Sequence, residues 1–201
     1  MPEQFVTHEI ELPSGGELQV LQPAEAAEIP DDHQVEWAPL APYWSVLWRS
    51  GVALARELDG EALQGLRVVE LGCGLAVPSI AAARGGADVI ATDGDSDALE
   101  LVLRNAEANG VPVETDMVDW GDPDELVARG PFDLVLAADI LYERQGVAFL
   151  LDLLPRLAPA AWIADPGRPA ADAFFEQAER RKWKVETRVR GVVRLHRIQL
   201  D

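Results

Sequence analysis

The spacing of apolar positions changes character near residue 66. Before it, Phe5 to Leu12 alternates loosely, Pro13-Ser-Gly-Gly16 is a turn, and Glu17 to Leu21 returns as a second alternating run, which predicts a β-hairpin. Residues 22–36 are rich in proline and acids and predict a loop. Trp37 to Trp48 is aromatic and broken by prolines, with Trp37, Tyr43, Trp44 and Trp48 close together, and it leads into a helical pattern over Ser50 to Leu58. Such an arm either packs its aromatics or lays them over a ligand. From residue 66 short apolar runs alternate with helical periodicity. Strands are predicted at Leu66–Leu71, Ala87–Thr92, Pro112–Met117, Phe132–Ala138 and Ala160–Ala164. Helices are predicted at Ala76–Arg84, Ser96–Asn109 with Gly110 closing it, Val147–Leu157 and Ala170–Arg181. Trp183–Arg190 and Val192–Leu200 flank Gly191 and read as two antiparallel strands. Repeated β-α units predict an α/β fold with a mostly parallel, doubly wound sheet and an antiparallel ending. Residues 1–60, the hairpin and aromatic arm, are expected to pack on a core formed by 61–201 as one folded unit.

Composition narrows the possible partners. Of 201 residues, 48% are hydrophobic, enough to bury a sizeable core, and 35 acids against 17 bases leave a formal charge of −18. A nucleic-acid binder needs a basic face, and an anionic membrane surface makes the same demand, so neither is expected as a partner. Small molecules and basic protein surfaces remain, beside the plainer reading that the charge serves solubility. Met1 to Ile10 has no export or transit pattern, and no segment is apolar for long enough to span a bilayer. A single cysteine, Cys73, precludes an intrachain disulfide and fits a reducing cytoplasm. Three scattered histidines (His8, His33, His196) make no metal constellation.

The candidate chemistry begins at Val68-Val-Glu-Leu-Gly-Cys-Gly74, a strand running into a glycine turn that opens a helix. Missing side chains admit a ligand close to the main chain, and the helix start offers N–H donors. A dinucleotide fingerprint would need a third glycine where Val77 stands, which argues against a nicotinamide oxidoreductase. The turn instead carries an acid, Glu70, suited to a cationic or hydroxyl-rich ligand, and a second acid, Asp93, ends the next strand, where a carboxylate can accept both hydroxyls of a ribose. Cys73 lies at a helix start with no histidine near it in sequence, so packing is its expected role.

This acid–Gly–x–Gly–acid set resembles the S-adenosylmethionine (SAM) site of class I methyltransferases, and the resemblance implies their Rossmann-like seven-strand fold. It assigns Glu70, Gly72 and Gly74 to the methionine end and Asp93 to the ribose, with Ala76 where the family usually has a third glycine. Val118-Asp-Trp120 matches the element that holds adenine, with Asp119 as the acid and Trp120 as the stacking ring. On residues alone, Asp119 caps a turn and Trp120 fills a gap equally well. Ala137-Ala-Asp-Ile-Leu-Tyr142 follows the fourth strand. Its Asp-x-x-Tyr form resembles the seven-strand protein lysine methyltransferases, methyltransferase family 16. Nucleic-acid and amide methylases often have two prolines where Ile140 and Leu141 stand. Asp139 would orient an acceptor amine and Tyr142 would wall its channel; the plain alternative is a helix cap and a packed ring. Pro42 to Arg56 and Asp165-Pro-Gly-Arg-Pro169 resemble the electron-transfer-flavoprotein β-subunit lysine methyltransferase group. By that resemblance Trp48 and Ala138 contact SAM, while Trp44, Asp165 and Arg168 line the substrate side. On its own, Asp165-Pro-Gly-Arg is a good β-turn.

The sequence therefore points to a SAM-dependent methyltransferase, yielding S-adenosylhomocysteine, with no metal and with a protein lysine as acceptor. The alternatives are a small-molecule acceptor, and a SAM-binding protein without catalysis. With four acids assigned to the site, the remaining negative field is expected to steer a cationic acceptor.

Overall fold

In the computed structural model, which describes residues 4–26 and 42–200, the alternation seen in the sequence becomes two sheets. The first is the antiparallel hairpin of β1 (Phe5–Glu11) and β2 (Glu17–Pro23). The second is built from β3 (Arg67–Leu71), β4 (Asp88–Asp93), β5 (Glu114–Met117), β6 (Leu134–Ala138), β7 (Ala160–Asp165), β8 (Lys184–Arg190) and β9 (Val193–Gln199). Its order is β5-β4-β3-β6-β7-β9-β8, with β9 inserted antiparallel between β7 and β8 and the other six strands running in one direction. This is the mixed seven-strand sheet that the pattern and the resemblance predicted.

The reason lies in the side chains. Val68, Val69, Leu71, Val135, Leu136 and Ala137 are all fully buried, so the central strands have two covered faces and read as unbroken apolar runs. One face is covered by α1 (Arg49–Leu58), α2 (Val77–Arg84) and α3 (Ser96–Ala108), the other by α5 (Arg144–Leu157) and α6 (Pro169–Arg180). A short α4 (Asp124–Arg129), which the apolar pattern does not predict, precedes β6. Only its Leu126 is buried, so six residues carry almost no periodic signal. In α2 every residue from Val77 to Ala83 is buried, and its alanines let the helix lie close to the sheet.

The hairpin packs Leu18 and Val20 into the core beneath α2 and α3. The outer edge of β2 meets Asn105 of α3 and Asn109, which caps that helix, instead of another strand. Asn105 Oδ1 accepts from Leu21 N–H (2.7 Å) and Asn109 Oδ1 from Gln19 N–H (2.9 Å), and both amides donate back to the same residues' carbonyls. Trp37 and residues 27–36 of the predicted loop lie outside the described residues, and the arm is described from Pro42 on. Among the described residues no helix is long and apolar enough to cross a membrane.

Candidate active site

The carboxyl ends of β3, β4 and β6 open into a cleft of about 1250 Å³. Glu70, Gly72, Gly74, Asp93, Asp119, Trp120, Ala138, Asp139, Tyr142, Trp44, Trp48 and Arg168 all line it, so the structure gathers every candidate residue but one. The exception is Asp165, which is fully buried and does not reach the cleft.

The glycine turn is shaped by steric need. Gly72 and Gly74 have φ of +61° and +50°. A Cβ at Gly72 would stand 3.0 Å from Ile140 Cγ2 and 3.3 Å from Trp120 Cζ2, and one at Gly74 would stand 3.0 Å from the Trp44 carbonyl oxygen. Ala76 is also left-handed (φ +57°), which explains why a glycine suits that position. Cys73 is buried within the turn, and burial with the nearby Glu70 and Asp93 carboxylates holds its thiol protonated, so it is no nucleophile.

Two acids flank the turn. Glu70 Oε2 accepts from the Ser79 backbone N–H (2.9 Å) and hydroxyl (2.5 Å) in the first turn of α2. Complete burial outweighs these bonds and pushes its pKa up from 4.5 to about 8. Ser79 was not singled out from the sequence; an acid before a glycine turn that opens a helix carrying a serine was the available signal. Asp93 ends β4 and bridges the loop, accepting from Gly74 N–H (2.9 Å) and Asp95 N–H (3.1 Å). Burial raises its pKa as well. Asp119 Oδ1 accepts from Gly121 N–H (2.7 Å), so it caps its turn and lines the cleft at once. Trp120 sits between Gly72 and Gly146, half-buried against the core.

On the other side, Asp139 leaves β6 with φ +58° while its N–H still bonds Ala164 O (2.9 Å) on β7. Aspartate tolerates this conformation better than most residues, and such outliers gather at functional sites. Its buried carboxylate accepts from Arg168 at 2.9 Å. The Arg168 guanidinium lies 5.5 Å from the centre of the Trp48 ring, and Trp48 Nε1 donates to Tyr43 O (3.0 Å). Asp165 supports this arrangement from behind: its Oδ1 accepts from the N–H groups of Gly167 (2.5 Å) and Arg168 (3.0 Å), fixing the turn that presents the arginine. Tyr142 is half-exposed and stacks on Tyr43, ring centres 6.3 Å apart. Burial and the neighbouring Glu143 and Asp93 raise its hydroxyl pKa, so it stays protonated. The sequence did not reveal the Asp139–Arg168 pair or the Tyr43–Tyr142 stack, because the first joins the ends of two strands and the second joins the aromatic arm to the loop after β6. Phe149 and Met117, which also line the cleft, were missed.

The family model for lysine methyltransferases matches residues 43–179, more than half of the chain. The chain belongs to the lysine methyltransferase family. Among relatives, the electron transfer flavoprotein beta subunit lysine methyltransferase of Xenopus laevis is 35% identical over 141 residues, covering 66% of this chain and 55% of that protein. The protein N-lysine methyltransferase METTL21A of Danio rerio is 35% identical over 122 residues, covering 57% and 55%. The chain thus spans about half the length of the curated relatives it matches. Among solved structures, the Thermus thermophilus 16S rRNA N2 G1207 methyltransferase superposes with a TM-score of 0.70 at 15% identity, covering 100% of this chain and 52% of that one. The ribosomal protein L11 methylase of Lactobacillus delbrueckii gives 0.62 at 18% identity, covering 75% and 77%. At such identities these two attest the Rossmann-like class I methyltransferase fold alone.

Membership of this lysine methyltransferase family implies SAM, and the residues fit it. Two glycines leave room that a Cβ would close. Glu70 at one end suits a cationic, amino-acid-like group, Asp93 suits vicinal hydroxyls, and Trp120 offers an indole face.

Proposed function

We propose that the protein transfers the methyl group of SAM to the side-chain nitrogen of a protein lysine. The observation carrying this reading is the buried, left-handed Asp139, which faces the same cleft as Glu70, Gly72, Gly74 and Asp93. Bound SAM supplies an electrophilic methyl on a sulfonium, and all other requirements fall on the chain. Glu70, the glycine turn and Asp93 bind the amino-acid and ribose parts, and Asp119 and Trp120 hold the adenine. The acceptor must arrive as a neutral amine aligned with the methyl carbon. Asp139 accepts a hydrogen bond from an amine N–H and stabilises the charge that grows on nitrogen. Arg168 balances that carboxylate, so the site does not trap the acceptor in its protonated, unreactive form. Trp48, Tyr142 and Tyr43 present aromatic walls to a lysine side chain. Trp44 lies on the arm beside the glycine turn, and Asp165 acts by holding Arg168 in place.

The test incubates the pure protein with methyl-labelled SAM and a lysate of its own organism. A discrete labelled protein band, carrying label on lysine after hydrolysis, is expected. Label confined to small molecules refutes the protein acceptor. Calorimetry must show binding of SAM and none of NADH.

A further inference from the structure

The negative charge is unevenly distributed. Residues 180–201 hold eight of the 17 basic residues and two of the 35 acids, so the rest of the chain has nine bases against 33 acids. Strand register shows where this basic segment lies. Asp165, at the acceptor end of β7, pairs with Arg194 of β9, which in turn pairs with Val189 of β8, while Arg190 pairs with Val193. The tip of the β8–β9 hairpin therefore borders the turn that carries Arg168. A Cβ on Gly167 would stand 3.1 Å from the Arg194 guanidinium carbon.

The tip is exposed and only loosely neutralised. The Arg188, Arg190 and Arg194 side chains are 51%, 58% and 48% exposed. Arg188 and Arg190 share one carboxylate, Glu57, with Arg197, and the Arg190 contact is long at 3.7 Å. Arg197 is also held by Glu61 at 2.6 Å, so two carboxylates face three guanidiniums and the exposed Arg188 and Arg190 have only Glu57 between them. Arg194 meets the exposed Asp172 at 3.4 Å, a pair that water largely screens. Beside them Val189 and Val192 are 62% and 44% exposed, apolar surface at an unpaired sheet edge. We infer that this hairpin tip docks an acidic polypeptide segment flanking the acceptor lysine. The inference rests on the lysine reading above. It reverses the expectation that the global negative field recruits a basic partner: the net charge disfavours an acidic segment, whereas the local charge at this rim, which borders the site, favours one.

The test uses three fluorescein-labelled peptides with one central lysine flanked by glutamates, serines or arginines. Fluorescence anisotropy at low and physiological ionic strength measures binding. The glutamate peptide is expected to bind about tenfold tighter than the serine peptide, with the advantage shrinking as salt rises. The double variant Arg190→Glu/Arg194→Glu should lose that advantage and keep SAM affinity. Arg180→Glu/Lys182→Glu, an equal charge change at the opposite end of the sheet, should leave the advantage in place. Preference for the arginine peptide, or equal losses in both double variants, overturns the inference. Methyl transfer to each peptide from labelled SAM is read separately. Charge-selective binding without transfer upholds the docking surface and refutes the lysine reading. Transfer indifferent to flanking charge does the reverse.

Discussion

Replacing Glu70 with glutamine tests the electrostatics of the glycine turn. The side chain is fully buried, and its pKa stands at about 8 against an ordinary 4.5. The folded protein therefore binds more protons at this site than the unfolded chain does between those values. Stability contributed here is complete below pH 4.5, declines as pH rises, and is lost once pH passes about 8. A gap of that size corresponds to about 5 kcal/mol in all, and about 3 kcal/mol of it falls between roughly pH 5.5 and 8.5. Glutamine keeps the shape and an acceptor for the Ser79 N–H but cannot ionise. Urea unfolding of both proteins across that interval should show the wild type losing about 3 kcal/mol relative to Glu70→Gln. Parallel stability curves would refute the reasoning, since they would mean that Glu70 ionises in the fold as freely as outside it.

Asp139→Asn should lower turnover by at least about a hundredfold while leaving SAM affinity within a factor of about two, checked by single-turnover transfer and calorimetry. Asp93→Ala should cost SAM on the order of 1.5–3 kcal/mol of binding through lost hydrogen bonds to a charged acceptor, measured in the same titrations. Because Glu70 holds its proton at neutral pH, a cationic ligand group beside it favours ionisation. SAM binding at pH 7 should therefore release part of a proton, seen as buffer-dependent binding heat that disappears in Glu70→Gln. Arg168→Ala should raise the inflection in the kcat/KM–pH profile by about one unit, since a fixed positive charge near the amine is removed; an unmoved inflection would assign Arg168 a purely structural role.

What the sequence disclosed divides along physical lines. Apolar runs such as Val68-Val69 and Val135 to Ala137 are written in consecutive residues, because a strand covered on both faces must be apolar throughout. Glycine turns are legible for the same local reason, since Gly72 and Gly74 answer to their own dihedrals. The Asp139–Arg168 pair is different: its partners end β6 and precede α6, and only sheet order brings them to 2.9 Å. The Asp165-Pro-Gly-Arg turn is legible in its residues, but whether the Asp165 carboxylate faces a substrate, as the resemblance implies, or its own backbone depends on burial that spacing does not encode. The sign of the acceptor-side charge was hidden likewise, since a composition of −18 averages over a hairpin rich in arginine.

The asparagine seam between α3 and β2 bears on the cleft although no hairpin residue lines it. The fully buried Asn105 also donates to Leu75 O (3.2 Å), directly after the glycine turn. One amide thus clamps the hairpin and the cofactor loop together, and neither aspartate, which cannot donate, nor leucine, which can neither donate nor accept, can replace it. The hairpin works as a bracket: removing it would strand a buried amide and slacken the loop that grips the cofactor. A protein shortened at this end would then lose affinity in a cleft whose lining residues were all still present.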